Sequence, residues 1–553
     1  MFQSLPQIEV VEATTLSKKE AFDCCVFVFP PDFPKSSNFT VLSGEVNSFL
    51  TRFAESDKTF GKELNVAINE AVPGSFLVTS PTGPLNRDHD DVRRYADAVS
   101  KAIKRVRSSG KHRPLVIVHG PSEALLADAD PLQDYTRYLE VSLLSALAES
   151  YDSLETRETN AELLKESFIE KIGVMAQGVD AKRLEEAVQF ACAVEEGRRV
   201  ARDIGSPDPE RMTALKAAFY LQKYFADGQI GCSVVSDLDE LRNEYPLLMA
   251  VARASLQVPR HAPCVVELSY RSPDQSAVSE ELFFVGKGIN YDTGGADLKT
   301  GGNMVGMSRD KCGAAAVAGL FATAARLQPK HVNIHARLAF VRNSIGPDSY
   351  VSDEIIKSRA GVRVRVGNTD AEGRMVMTDL LARAKEQVLS AGLTDRARLF
   401  TVATLTGHAA RTYGPYVAAL DNAAARRAGI ASRLFKTSLA TGDMFELSTL
   451  RREDFKIVAP TDPAEDVLQA NRSPSVATSR GHQYPMAFMI TAAGLTAPKK
   501  EAEPDASKIA YTHLDIAGAA EESGVGSLGR CTGAPIPTLS AAFLLKKFAT
   551  KLL

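Results

Sequence analysis

The sequence predicts an α/β protein of two domains, a smaller amino-terminal α/β domain and a larger carboxyl-terminal α/β domain whose central mixed sheet is flanked by helices. Three observations carry this. Short β-branched apolar runs alternate with amphipathic stretches along the whole chain. A Gly-Ser-Pro-Asp-Pro-Glu segment at 205–210 breaks any helix and divides the pattern. The 553 residues exceed what one domain of ~150 residues holds. With 44% apolar and 24% charged residues, an intrinsically disordered chain is excluded. The 65 Lys and Arg against 68 Asp and Glu leave a formal charge of −3, which argues against a protein built to coat nucleic acid or anionic membrane.

Taken in order, the amino terminus MFQSLPQIEVVEATT has no basic cluster followed by an apolar run, so no secretory signal is expected and a cytoplasmic setting is. DCCVFVFP (23–30) and PLVIVHG (114–120) read as buried strands. Between them, 90–110 has helical apolar spacing and a basic outer face. That face reads as solvated, because Tyr95 is the only aromatic interleaved in it. Residues 181–204 form a long helix with Leu184, Val188, Ala191 and Val194 on one face. The expected organisation is therefore 1–180, a connecting helix 181–205, and 206–553. In the last part 281–288, 336–341 and 398–407 read as strands, and 310–327 and 372–389 as helices, the pattern of an open sheet with ligands at the strands' carboxyl ends. Ala314 to Ala325 is too short to span a membrane, and 496–508 reads as a surface loop. The seven cysteines lack CxxC spacing, which fits free thiols. Cys24 and Cys25 read as small apolar strand residues.

Three segments concentrate chemistry. In VGKGINYDTGGADLKTGGNM (285–304) a strand runs out into glycines carrying Lys287, Asp292 and Lys299. In MSRDKCGAAAVAG (307–319) Asp310 stands before an Ala- and Gly-rich helix. In VGNTDAEGRMVMTDLL (366–381) Asp370, Glu372 and Arg374 alternate just before another helix. Four carboxylates converging at strand-to-helix transitions repel one another unless cations neutralise them, and oxygen ligands suit a pair of divalent ions ~3.5–4 Å apart. None of the nine histidines lies in these segments, which disfavours a histidine-based zinc site. A lysine can join as a neutral amine ligand, and a second can stay protonated and polarise a carbonyl. Each residue also has a plain reading: Asp310 as a helix cap, Asp370 as a turn residue, Lys299 as a solvated loop lysine.

NTDAEGR (368–374), the spacing of Lys287, Asp292, Lys299 and Asp310, TLTG (404–407) and HLDIAG (513–518) resemble the leucyl aminopeptidase (cytosol aminopeptidase) family of two-metal exopeptidases. The resemblance covers 206–553 and makes that part the catalytic metallopeptidase domain. It implies that Asp292 and Glu372 bridge two metals, that Lys287 and Asp310 complete the tighter site, and that Asp370 completes the more exchangeable one. Lys299 becomes the catalytic electrophile and Arg374 the holder of a bicarbonate general base. Met307, Thr404, Leu405 and Gly407 match positions that shape the pocket for the substrate's first side chain. The implied cofactors are two divalent ions per subunit, zinc with manganese, cobalt or magnesium at the exchangeable site. The implied partners are peptides with a free amino terminus and five further copies of the chain in a homohexamer; no membrane is expected, and the net charge of −3 makes nucleic acid an unexpected partner.

The sequence departs from the family pattern at Lys311-Cys312-Gly313, at SYVSDEI (349–355), at Tyr291, at His408 and in the loop DTGGADLKTGG (292–302). These departures suggest a divergent, eukaryote-like branch. None removes an expected metal ligand. The expected function is release of amino-terminal residues through attack of a hydroxide bridging the two metals. The alternative is a catalytically silent structural or binding member on the same scaffold, in which one of the seven ligand and catalytic positions should have drifted; all seven are present.

Overall fold

The computed structural model describes residues 2–11, 21–31, 44–164, 168–471, 478–498 and 504–546. It contains two compact units, Met1–Glu196 with Ser438–Gly442, and Gly197–Thr437 with Asp443–Leu553. The division falls inside the long helix that the sequence reading placed between its two domains.

In the first unit, among the described residues, one sheet is built from β1 (Gln7–Val10), β2 (Cys24–Phe29), β3 (Asn65–Ile68), β4 (Phe76–Pro81), β5 (Pro114–Val118) and β6 (Lys171–Ala176), in the order β1-β6-β5-β2-β4-β3. All neighbours are parallel except β3 against β4. Parallel strands are covered on both faces, and every residue of β2, Cys24 and Cys25 included, is buried. Helix α1 (Arg93–Ser108) buries Tyr95, Ala98, Val99, Ala102, Ile103 and Val106 and leaves none of its six basic residues buried, the amphipathic surface its spacing predicts.

The second unit has an eight-stranded mixed sheet of β7 (Ile230–Val235), β8 (Cys264–Tyr270), β9 (Glu280–Asp292), β10 (Val332–Asn343), β13 (Ala397–Ala403), β14 (Val417–Asp421), β15 (Phe445–Thr449) and β17 (Ala510–Asp515). Their order is β15-β14-β17-β13-β9-β10-β8-β7. The strands β11 (Ile355–Lys357), β12 (Arg363–Arg365) and β16 (Val467–Leu468) form a small separate sheet. The middle of the large sheet, β17-β13-β9-β10, is all parallel, so these four strands end on one edge.

Strand β9 continues four residues beyond the expected 288, because its pairing with β10 runs on to Asp292 opposite Asn343. The glycines inside it serve packing. A Cβ on Gly286 would lie 2.6 Å from Ala314 Cα, and one on Gly313 would lie 2.2 Å from the Val402 carbonyl oxygen. The small residues of helix α3 (Cys312–Leu327) thereby let the helix lie almost against the sheet backbone. On the far side of α3, Gly319 faces Gly197 of helix α2 (Ala181–Gly205). A Cβ on either would meet the other's carbonyl oxygen at 2.3 Å. Helix α4 (Glu372–Ser390) is buried along most of its first three turns. Of the loop expected over 496–508, residues 499–503 lie outside the described residues, and Ala506–Lys508 form a 3-10 turn. Among the described residues, no helix is long and apolar enough to cross a membrane.

Candidate active site

The carboxyl edge of the parallel strands opens onto a cleft of about 440 Å³. Strand β9 delivers Lys287 from its interior and Asp292 from its last residue. A 3-10 turn, Met307–Lys311, delivers Asp310 just ahead of α3. The cap of α3 is Lys311, so the plain reading of Asp310 as a helix cap does not hold. The loop before α4 delivers Asp370, and Glu372 is the first residue of α4, where the helix dipole favours a carboxylate. Asp292, Asp310 and Glu372 are all buried and each offers an oxygen within 4.8 Å of the others.

Two lysines divide the cluster between them. Lys287 Nζ lies 2.8 Å from Asp310 Oδ1 and 3.0 Å from Glu372 Oε1, and donates to the Thr404 carbonyl at 2.8 Å. Lys299 Nζ lies 2.9 Å from Asp292 Oδ2 and also pairs with Asp370. Burial opposes the charge on both lysines. The carboxylates outweigh it, those of Asp310, Glu372 and Asp292 at Lys287 and those of Asp292 and Asp370 at Lys299. Both ammoniums are held above the ordinary lysine range. Burial, reinforced by the Asp292 charge, pushes Glu372 up to about 8 and Asp370 to about 6, and burial raises Asp310 as well. Asp370 is the most open of the four, its side chain 37% exposed. Lys299 is therefore no solvated loop lysine. Gly294, at φ 87°, turns the loop that brings it in, and a Cβ there would strike the Asp297 carbonyl oxygen at 2.4 Å.

Arg374, buried on α4, stacks over the Tyr484 ring at 4.7 Å and donates to the Gln469 carbonyl at 3.0 Å, while its Nε has no partner among the described residues. Met307, Thr404, Leu405 and Gly407 all line the same cleft, as do His408, Arg309, Ala520, Glu521, Val525 and Gly526. All eleven residues singled out in the sequence thus border one cleft. The departures find places too. His408 packs against Gly481 and faces the Thr478 carbonyl oxygen, 3.1 Å from its Nε2. Lys311 is wholly buried and donates to the Pro207 carbonyl at 2.9 Å.

Residues beyond the eleven expected ones hold this arrangement. Asn343, the β10 partner of Asp292, donates to Asp292 Oδ1 at 2.7 Å and to the Thr369 carbonyl at 3.1 Å. Asp297 accepts from Thr369 N at 2.7 Å. Gln469 accepts from Gly367 N and Asn368 N and donates to the Asn368 and Ala371 carbonyls, clamping NTDAEGR from both sides. Asp515, at the end of β17, accepts from Leu405 N and from the Thr406 hydroxyl and so fixes the TLTG turn. HLDIAG was a signal for Asp515. Asn343 and Gln469 lie far along the chain from what they hold, and no local pattern marks them.

Residues 199–540 match the catalytic domain of the cytosol aminopeptidase family, Peptidase M17. A Caenorhabditis elegans protein named "Putative aminopeptidase W07G4.4" is 37% identical over 523 residues, covering 93% of this chain and 94% of that protein. A "Probable cytosol aminopeptidase" of Sulfurihydrogenibium sp. is 29% identical over 373 residues, 66% of each chain. Among solved structures, leucyl aminopeptidase from Trypanosoma brucei in complex with bestatin matches with a TM-score of 0.76 at 20% identity, over 98% of this chain and 96% of that one. The bottromycin maturation enzyme BotP in complex with Mn matches with a TM-score of 0.70 at 18% identity, over 94% and 99%. At those identities the structures speak for the fold. The class is that of a metallo-aminopeptidase hydrolase. The chain belongs to the cytosol aminopeptidase family.

Proposed function

We propose that this aminopeptidase works with two divalent ions held by Lys287, Asp292, Asp310, Asp370 and Glu372, and that the observation carrying this is the buried meeting of Asp292, Asp310 and Glu372. The donor set fits such ions. Asp310 Oδ2 and Glu372 Oε2 are buried with no hydrogen-bond partner, an arrangement that is costly for carboxylates serving only the fold. Bound ions, zinc with manganese, cobalt or magnesium at the more exchangeable position, would supply Lewis acidity that activates a water near neutral pH and polarises the scissile carbonyl.

The chain's own residues supply the rest. Lys287 must release its proton before its amine can ligate, so metal uptake there competes with its ion pairs to Asp310 and Glu372. Lys299 keeps its proton and donates to the oxyanion that develops on the scissile carbonyl. Arg374, which lines the cleft and whose Nε is buried without a partner among the described residues, would hold a bicarbonate, and that ion would supply a general base. Met307, Thr404, Leu405 and Gly407 border the space for the first side chain. Assembly as a homohexamer rests on the family resemblance, and a cytoplasmic setting is proposed beside it. Light scattering tests the first, and imaging of the tagged protein the second.

A panel of aminoacyl coumarin amides, assayed with zinc, manganese, cobalt and magnesium in turn, tests the activity. Glu372→Gln is expected to lose both bound metal and turnover, because a neutral amide cannot offset two cations. A metal-replete Glu372→Gln enzyme that still turns over would refute the assignment.

A further inference from the structure

The first turn of α3 carries a thiol that the proposed mechanism does not use. Cys312 Sγ lies 3.6 Å from Cys531 Sγ. Both cysteines are free and buried, and 219 positions separate them in the chain. The space they share is built by backbone: a Cβ on Gly205 would stand 2.9 Å from one sulfur and 3.2 Å from the other. Arg202, itself fully buried, donates from Nε to the Cys531 carbonyl at 3.0 Å and fixes that end.

What each cysteine is attached to gives the pair its meaning. Cys312 follows Asp310 by two residues and opens the helix that the 3-10 turn leads into. Cys531 pairs by an isolated antiparallel bridge with Glu521 and closes the turn 522–530, whose Val525 and Gly526 line the cleft. Arg309 already ties the two sides together. Its Nε lies 3.2 Å from Glu521 Oε1, and it donates to the Ser206 carbonyl. Glu521 Oε2 in turn accepts from Gly526 N at 3.0 Å. The dithiol thus stands where a cleft wall meets the segment that presents a carboxylate to the active site.

We propose that Cys312 and Cys531 are a redox modification site, closing to a disulfide under hydroperoxide and turning hydrolysis down. One thiol attacks a peroxide oxygen, becomes a sulfenic acid and releases one water. The second thiol displaces the sulfenic oxygen as a second water and forms the S–S bond. Two thiols lose two electrons and two protons, and hydrogen peroxide takes them up. Burial selects for an oxidant as small as peroxide over a bulky disulfide such as oxidised glutathione. A disulfide of about 2.05 Å requires the sulfurs to close by roughly 1.5 Å. That closure draws the start of α3, and Asp310 with it, against the base of the 522–530 turn.

The test uses the full-length, metal-loaded protein treated with hydrogen peroxide, quenched, alkylated and digested with trypsin. The expected result is a linked pair of peptides, 312–326 with 531–546, lighter by two hydrogens than their sum. Hydrolysis should fall about fivefold or more and return with dithiothreitol. Cys531→Ser should retain the untreated rate within about twofold, give no linked pair and keep its rate under peroxide. Oxidised glutathione should produce little of either effect. Absence of the linked pair in the parent overturns the proposal, and so does a linked pair whose formation leaves the rate unchanged. An activity loss that persists in Cys531→Ser assigns the loss to another oxidised group and overturns it as well. The linked pair is read by mass alone, so this test stands apart from the reading of the hydrolytic mechanism: failure of that reading shows as an untreated enzyme without turnover.

Discussion

Two lysines twelve positions apart sit in one carboxylate cluster and are given different work. Lys299 is on a loop, between Asp292 and the more open Asp370. In the proposed mechanism its ammonium is the donor to the developing oxyanion, a contact of the kind that is worth about 2.7–4 kcal/mol in the transition state. Lys299→Ala is expected to keep its bound metal and lose about a hundredfold or more in kcat, with a smaller change in KM. Lys287→Ala should differ by losing metal as well, because Lys287 sits directly between Asp310 and Glu372. Metal analysis beside steady-state kinetics separates the two, and a Lys299→Ala enzyme within a few-fold of the parent removes the electrophile assignment. His482 makes a different residue-scale case. Burial, with a smaller push from His408, lowers it to about 4, so the folded chain keeps it neutral where an unfolded histidine, near ~6.5, takes a proton. Below pH ~6.5 the unfolded state binds more protons at this position, so its contribution to stability is lost as pH falls from there toward 4. The melting temperatures of the parent and of His482→Gln should therefore draw closer between pH 7 and pH 5. A gap that widens on acidification would contradict the burial argument.

At the scale of elements, helix α3 is shaped by what it must lie against. Its glycines and alanines bring it onto β9 and β13 on one side and onto α2 on the other. Gly319→Ala adds a methyl 2.3 Å from the Gly197 carbonyl oxygen and 2.5 Å from Ile536 Cδ1, and the Gly197 backbone has little room to give way. Overpacking of this kind costs about 1–3 kcal/mol. The variant should melt several degrees below the parent while its turnover per folded, metal-loaded molecule stays the same. A melting temperature equal to the parent's would show that the two helices can separate freely. Lys311, one of the departures from the family pattern, is explained at the same scale: its ammonium reaches the Pro207 carbonyl and ties the turn bearing Asp310 to the segment after α2.

At the scale of the whole molecule, the question is what the metal does for the fold. The second unit is organised around an eight-stranded sheet with its own apolar core, and the ammoniums of Lys287 and Lys299 already offset part of the carboxylate charge. Removal of divalent ions with a chelator is therefore expected to abolish hydrolysis and lower the melting temperature, because ions that bind the native state alone stabilise it by mass action. It should leave the far-ultraviolet circular dichroism at 25 °C unchanged. Readdition of metal should restore the rate. Loss of secondary structure on chelation would show that the ions hold the fold together.

Met307, Thr404, Leu405 and Gly407 were legible only through the family resemblance, whereas the α/β class, the long helix beginning at 181, two helices of the second unit and the seven charged residues of the cleft were legible in the residues themselves. These are carried by local signals: apolar periodicity, glycines at strand ends, and short motifs whose spacing is set by the strand-to-helix turn. Only the tertiary structure decided how they meet. That β9 runs on to Asp292 depends on β10 beside it. That NTDAEGR is clamped depends on Gln469, about a hundred residues later, and that Asp292 is held depends on Asn343, 51 residues later. The pairing of Cys312 with Cys531 has no trace in either cysteine's neighbourhood. Contacts of this kind join residues by the order of strands in a sheet, which no single stretch of sequence encodes, because each strand reads the same whichever neighbour it takes.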